Sequence, residues 1–217
     1  MNIHKYLFII LILIFCNEAA AQFFQGIGIT AGLTKAKQKW FAPLPDSTTD
    51  IIMKKNRLGF NGSIRAEFIN NPTIRWVTEF QFNQKGFKDK KDTITFKNRF
   101  NYICWNNFLK IQFETFNGFP YLLFGPRVEY LLSQKVTSPE ITGAFKKFNF
   151  SWSAGIGYEK IVFSNFKPFI EIHYNPDTPF YYAYETSPLD IRNRAWEFRI
   201  GVIFRPGGNE DCPGVIR

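Results

Sequence analysis

The chain has 217 residues, a formal charge of +9 and 45% hydrophobic residues, which suits one domain of ordinary size and is too little for two large ones. Aromatic residues reach 18%, with 26 Phe and 9 Tyr. Yet the only long apolar run, Tyr6 to Cys16, is about half of the roughly 20 residues that a membrane-crossing helix needs, so a helical membrane protein is excluded.

That run follows Lys5 and ends in Ala19-Ala20-Ala21 before Gln22, the order of a basic segment, an apolar segment and a small-residue cleavage site. Residues 1–21 therefore read as a cleavable secretory signal. Its removal takes away Lys5 and Glu18 and leaves the formal charge at +9. Bulky Phe15 directly before Cys16 argues against lipoprotein processing. Cys104 and Cys212 remain, in a compartment that permits disulfides. Cys104 falls in a strand pattern and Cys212 in a Gly- and Pro-rich tail, so a bridge would need the tail to fold back, and two free thiols are the simpler reading. Neither has the CxxC or Cys/His spacing of a zinc site.

From Gly26 onward the dominant signal is alternation with a period of two, the mark of strands with one apolar face. The first strand sets Ile27, Ile29, Ala31 and Leu33 against Gly26, Gly28, Thr30 and Gly32. The second sets Leu58, Phe60, Ile64, Ala66 and Phe68 against Asn61, Ser63, Arg65 and Glu67. In the third, Ile74, Trp76, Phe80 and Phe82 oppose Arg75, Glu79, Gln81 and Asn83. The fourth, Tyr102 to Phe113, is less regular, because Asn107 shares a face with Ile103, Trp105, Leu109 and Ile111; a bulge or a protein-covered patch would absorb it. The fifth sets Leu122, Phe124, Val128, Tyr130 and Leu132 against Tyr121, Leu123, Gly125, Arg127, Glu129 and Leu131, with Pro126 on its apolar side. The sixth opposes Phe148, Phe150, Trp152, Ala154, Ile156 and Tyr158 to Asn149, Ser151, Ser153, Gly155, Gly157 and Glu159. The seventh opposes Ile170, Ile172 and Tyr174 to Phe169, Glu171 and His173. The eighth opposes Trp196, Phe198, Ile200, Val202 and Phe204 to Ala195, Glu197, Arg199 and Gly201.

The connections alternate in length. Segments 34–56, 85–98, 133–147 and 175–192 are long, whereas Asn70-Asn71-Pro72, Thr115 to Gly118 and Ser164 to Phe166 are short. Outer-membrane barrels join their strands in this way, with short periplasmic turns and longer external loops. The reading is an all-β, eight-stranded antiparallel up-and-down transmembrane barrel over residues 22–204, with both termini in the periplasm and a tail over 205–217.

In such a barrel the polar side of each strand fills the interior. The inward set then contains Arg65, Glu67, Arg75, Glu79, Lys110, Arg127, Glu129, Glu159, Glu171, Glu197 and Arg199, five cations against six anions. Desolvating each costs several kcal/mol unless it is paired, so a connected luminal network of ion pairs is expected. Trp76, Trp196, Tyr130, Tyr158 and Tyr174, near strand ends, suit interfacial girdles.

The opening Gly26-Ile27-Gly28-Ile29-Thr30-Ala31-Gly32, the later Trp152-Ser153-Ala154-Gly155-Ile156-Gly157-Tyr158-Glu159 and the closing Gly201-Val202-Ile203-Phe204, behind a signal ending in Ala-Gln, resemble the PorT-like outer-membrane β-barrel family of Bacteroidota. The resemblance spans nearly the whole mature chain, and its motifs are structural. It implies recognition by the barrel-insertion machinery. Some relatives take part in protein secretion and gliding, which implies an envelope or secretion protein as partner. Barrels of this kind usually end at the aromatic residue of the last strand, whereas here Arg205 to Arg217 follow Phe204.

Two further possibilities remain open in the sequence. His173 shares a face with Glu171, and Ser151 and Ser153 point inward on the preceding strand, so a Ser/His/Glu group of a lipid-modifying enzyme is conceivable beside a plain luminal histidine. A non-enzymatic structural or interaction role is the reading adopted. Lysines 35, 37, 39, 54, 55, 85, 88, 90, 91 and 97 crowd the first two long segments, where they could meet phosphates of outer-membrane lipid, lipopolysaccharide included. Asp46, Asp50, Asp89 and Asp92 interrupt them, and a solvated loop surface explains them equally well. The signal peptide argues against nucleic acid as partner. No phosphate-cradling Gly loop, metal cluster or Ca²⁺ loop is evident, and no cofactor is expected.

Overall fold

The computed structural model describes residues 23–43, 49–53, 55–91, 94–137, 147–162, 165–176 and 190–206. The signal segment, Cys212 and the tail beyond Pro206 lie outside them. The described chain forms strands β1 (Phe24–Pro43), β2 (Thr49–Met53), β3 (Lys55–Phe68), β4 (Ile74–Lys91), β5 (Ile94–Gln112), β6 (Gly118–Lys135), β7 (Phe148–Lys160), β8 (Phe166–Pro176) and β9 (Asp190–Phe204). β2 and β3 flank position 54 and both pair with β1, so together they make one stave. All neighbours are antiparallel, and β1 pairs with β9 from Ile27↔Phe204 to Phe41↔Asp190, closing an eight-staved barrel.

The register determines how wide that barrel is. Stepping across paired residues leads from Gly28 through Arg65, Glu79, Asn106 and Arg127 to Ser151. After moving six residues down β7 to Gly157, the path continues through Glu171 and Arg199 to Gly32, four residues above its start, so the closure stagger is ten residues. With strand spacing of about 4.8 Å and a rise of about 3.3 Å, eight staves at that stagger tilt by about 40° around a cylinder of roughly 8 Å radius. Side chains fill such a space.

Alternation gives the two surfaces their character. Outward apolar residues such as Ile64 and Ile200, 60% and 66% exposed, ring the barrel on every stave. On β3 this face runs from Leu58 to Phe68, about 25 Å along the axis at that tilt, which matches the apolar band of outer-membrane barrels. Aromatic pairs cap it: Trp76 with Phe68 (5.1 Å between centroids) at one end, and Trp196 with Tyr174 (4.8 Å) at the other. At the first of these ends the turns are short. The Asn70-Asn71-Pro72 turn is held by Asn71 Oδ1, which accepts from the amides of Thr73 (2.8 Å) and Ile74 (3.0 Å), and Thr115 bridges to Gly118.

At the other end the structure corrects the expected loops. Segments 34–56 and 85–98 are mostly paired strand: β1 runs to Pro43, and β4 and β5 stay in register up to Lys91↔Ile94. Above the apolar band the outward face turns polar, with Lys35, Lys97 and Arg99 exposed, and the buried inward face mixes Gln38, Lys85 and Asn98 with Phe87 and Phe100, so the period-two hydrophobic signal fades although the ladder continues.

Candidate functional site

The inward faces converge on a charged core. Every residue expected there, Arg65, Glu67, Arg75, Glu79, Lys110, Arg127, Glu129, Glu159, Glu171, Glu197 and Arg199, is buried. Lys85, Lys167 and Arg205 join them, making eight cations against six carboxylates among the described residues. The excess is cationic, whereas the sequence pointed to near balance.

The charges sort by height. At the short-turn end, Glu67 accepts from Lys110 Nζ (3.0 Å) and Arg205 (2.6 Å), with Arg75 Nη1 at 3.7 Å; Glu159 pairs with Lys110 and with Arg205 (2.8 Å). At mid-height, Arg65 donates two bonds to Glu171 Oε1 (2.6 and 2.7 Å), which also accepts from Tyr121 (2.8 Å). Arg199 reaches Glu79 (2.9 Å) and Glu197, and lies 3.9 Å from Glu171. Above them, Arg127 joins Glu197 (2.9 Å) to Glu129 (2.6 Å), and Lys85 pairs with Glu129 (2.7 Å). Cys104 is a buried free thiol whose sulfur accepts from Arg127 Nη2 at 3.1 Å. The Tyr121 ring lies beneath Lys110 Nζ, 4.3 Å from its centroid, and so connects the lowest cluster to the middle one.

Small residues make room for this core. A Cβ on Gly157 would lie 2.3 Å from the Tyr121 ring, and one on Gly201 would lie 2.4 Å from the Phe169 ring. The strand residues opposite these two luminal rings are therefore glycines. The Phe169 ring in turn carries the Arg65 guanidinium, 4.5 Å from its centroid.

The structure also brings Ser153, His173 and Glu171 together. His173 Nε2 lies 2.9 Å from Glu171 Oε2, and Ser153 Oγ lies 3.4 Å from His173 Nδ1; Ser151 has no bond to the group. The order serine, imidazole, carboxylate is that of a nucleophile and its base. All three are buried in the packed lumen, however, and Glu171 is already committed to Arg65 and Tyr121.

Sequence reasoning missed Lys85, Lys167 and Arg205. Lys85 was grouped with the external lysines, but it continues the inward parity of Gln81 and Asn83. Lys167 precedes Phe169 and Glu171 on the same face, and Arg205 follows Ile203. Extending the alternation past the apparent strand ends would have found all three. Of the other outer lysines, Lys35 and Lys37 lie on β1, on its outward side.

No protein-family model matches the chain, and no curated protein matches it. Among solved structures it is similar to Neisserial surface protein A, at 14% identity and a TM-score of 0.51, over 82% of this chain and 96% of that one. It is also similar to the outer membrane protein OprG from Pseudomonas aeruginosa, at 9% identity and a TM-score of 0.56, over 83% and 95%. At these identities the likeness is one of architecture: the chain has the fold of small outer-membrane β-barrels.

Proposed function

We propose that the protein is an integral outer-membrane barrel with a structural or interaction role, its N- and C-termini in the periplasm, acting as an accessory to protein secretion or envelope assembly. The observation that carries this reading is the apolar belt, about 25 Å tall, wrapped around a lumen filled with paired charges. In water that belt would be an exposed hydrophobic surface on every stave, far beyond what soluble monomers tolerate. In a bilayer it is the ordinary condition, and closure supplies the backbone hydrogen bonds that lipid cannot.

Insertion would require the barrel-insertion machinery, and an envelope or secretion protein would dock at the tall end or along the belt. The kinship with PorT-like barrels rests on the short strand motifs alone. The enzyme reading, with Ser153, His173 and Glu171 acting on lipid, is favoured by their proximity and opposed by their burial.

The test is extraction and refolding. The processed protein should fractionate with outer membranes, resist alkaline extraction, and refold into neutral phospholipid vesicles as a form that migrates faster on gels before boiling than after. Recovery as a soluble monomer without detergent would overturn the proposal.

A further inference from the structure

Where β8, β9 and β1 meet, three cations stand on the lipid side of the wall. Lys35 is in register with Trp196 and Lys37 with Arg194, while Trp196 is in register with Tyr174. Together with Asn56 these residues line a recess of about 300 Å³. The luminal carboxylates all hold cationic partners, but Lys35, Lys37 and Arg194 form no ion pair with a carboxylate among the described residues. Among the described residues, three positive charges thus share one face with no carboxylate paired to them.

Their height says what kind of anion fits. Directly below Lys35 on β1 come Leu33 and Ala31, and below Trp196 on β9 come Phe198 and Ile200, all outward and apolar. The charges therefore begin where the apolar belt ends, level with the Trp196 and Tyr174 rings, the depth at which aromatic and long basic side chains meet lipid headgroups. Immediately beneath lies a groove of about 600 Å³ on the same staves, walled by Leu33, Ala31, Ile172, Phe198 and Ile200. A cationic recess stacked on an apolar groove is complementary to an amphiphile with an anionic head and an acyl chain. A free anion would make no use of the groove.

We propose that this face binds a phosphorylated lipid of the outer leaflet, its phosphate held by Lys35, Lys37 and Arg194 and one acyl chain lying against Leu33, Phe198 and Ile200. This rests on the reading that the barrel spans the outer membrane with its termini in the periplasm, which puts the recess in the outer leaflet. Charge-assisted bonds from lysine and arginine are the usual means of holding phosphate.

The protein is refolded in neutral detergent micelles, its folding checked by the gel shift before boiling, and then titrated with diphosphorylated lipid A under native mass spectrometry. The native chain should retain one lipid per barrel. The triple variant K35Q/K37Q/R194Q, which leaves belt and lumen intact, should bind it at least about tenfold more weakly, the loss of about 1.4 kcal/mol or more. K160Q, which changes an exposed lysine at the opposite end of the barrel, should bind as the native chain does. Lipid A stripped of its phosphates but keeping its acyl chains should be held as weakly by the native chain. Equal binding by the triple variant, or equal binding of the stripped lipid, would overturn the proposal. So would inorganic phosphate bound at the three residues with no lipid retained. A native chain that fails to fold in micelles counts against the membrane reading itself.

Discussion

Glu197 shows how much a single luminal side chain carries. Its two oxygens accept from Gln81 (2.9 Å), Asn83 (2.6 Å), Asn175 (2.7 Å), Arg127 (2.9 Å) and Arg199, donors from four other positions on three other staves and one on its own. Removing its charge leaves two buried guanidinium groups short of a counter-ion. Glu197→Gln is therefore expected to destabilise the barrel by about 3–5 kcal/mol, read as a lowered midpoint of urea unfolding in vesicles. Glu114→Gln, on an exposed turn, should stay within about 0.5 kcal/mol of the native chain. An equal loss from both variants would mean that the network does not hold the fold together. That Glu197 faces inward was legible from its alternation with Trp196 and Phe198. Its five partners were not, since they come from residues as far away as Gln81, 116 positions along the chain.

At the scale of the strand, the irregular fourth segment has a physical cause. Pairing between β5 and β6 runs from Asn106↔Arg127 to Leu109↔Phe124, leaving Asn107 and Phe108 unmatched opposite Gly125 and Pro126. Pro126 has no amide to donate, and a Cβ on Gly125 would fall 1.8 Å from the Asn107 carbonyl oxygen, so the ladder breaks at a residue pair chosen for closeness. The Asn107 side-chain oxygen is buried without a hydrogen-bond partner, midway along a belt that runs from Ile103 to Phe113. Asn107→Leu should accordingly raise stability in lipid vesicles by about 1–2 kcal/mol, measured by urea unfolding. A loss of stability would indicate that this amide is satisfied by lipid or by a neighbouring protein. Strand existence was readable wherever one face meets hydrocarbon. Strand ends were not, because β1, β4 and β5 continue above the belt, where the outward face turns polar and the buried inward face mixes polar residues with Phe87 and Phe100, so hydrophobicity no longer tells one face from the other.

For the molecule as a whole, closure and stagger decide what the interior can do. Eight staves staggered by ten residues leave space for side chains only, and the rings of Tyr121 and Phe169 occupy what the glycines vacate. The Ser153, His173 and Glu171 group is sealed by that packing. A fluorophosphonate that labels accessible activated serines should leave Ser153 unmodified in the folded barrel, as mass spectrometry of its peptides would report. Stoichiometric labelling without unfolding would revive the hydrolytic reading.

The order of apolar and polar residues determined, without any knowledge of pairing, that this chain makes strands with one side for hydrocarbon and one for an enclosed polar interior. It also named eleven of the charges that lie there, because side-chain direction in a strand depends only on parity. Which carboxylate meets which cation was decided by the tertiary structure alone. Arg65 reaches Glu171 and Arg199 reaches Glu79 through the curvature and stagger of a closed cylinder, a geometry that no local spacing encodes.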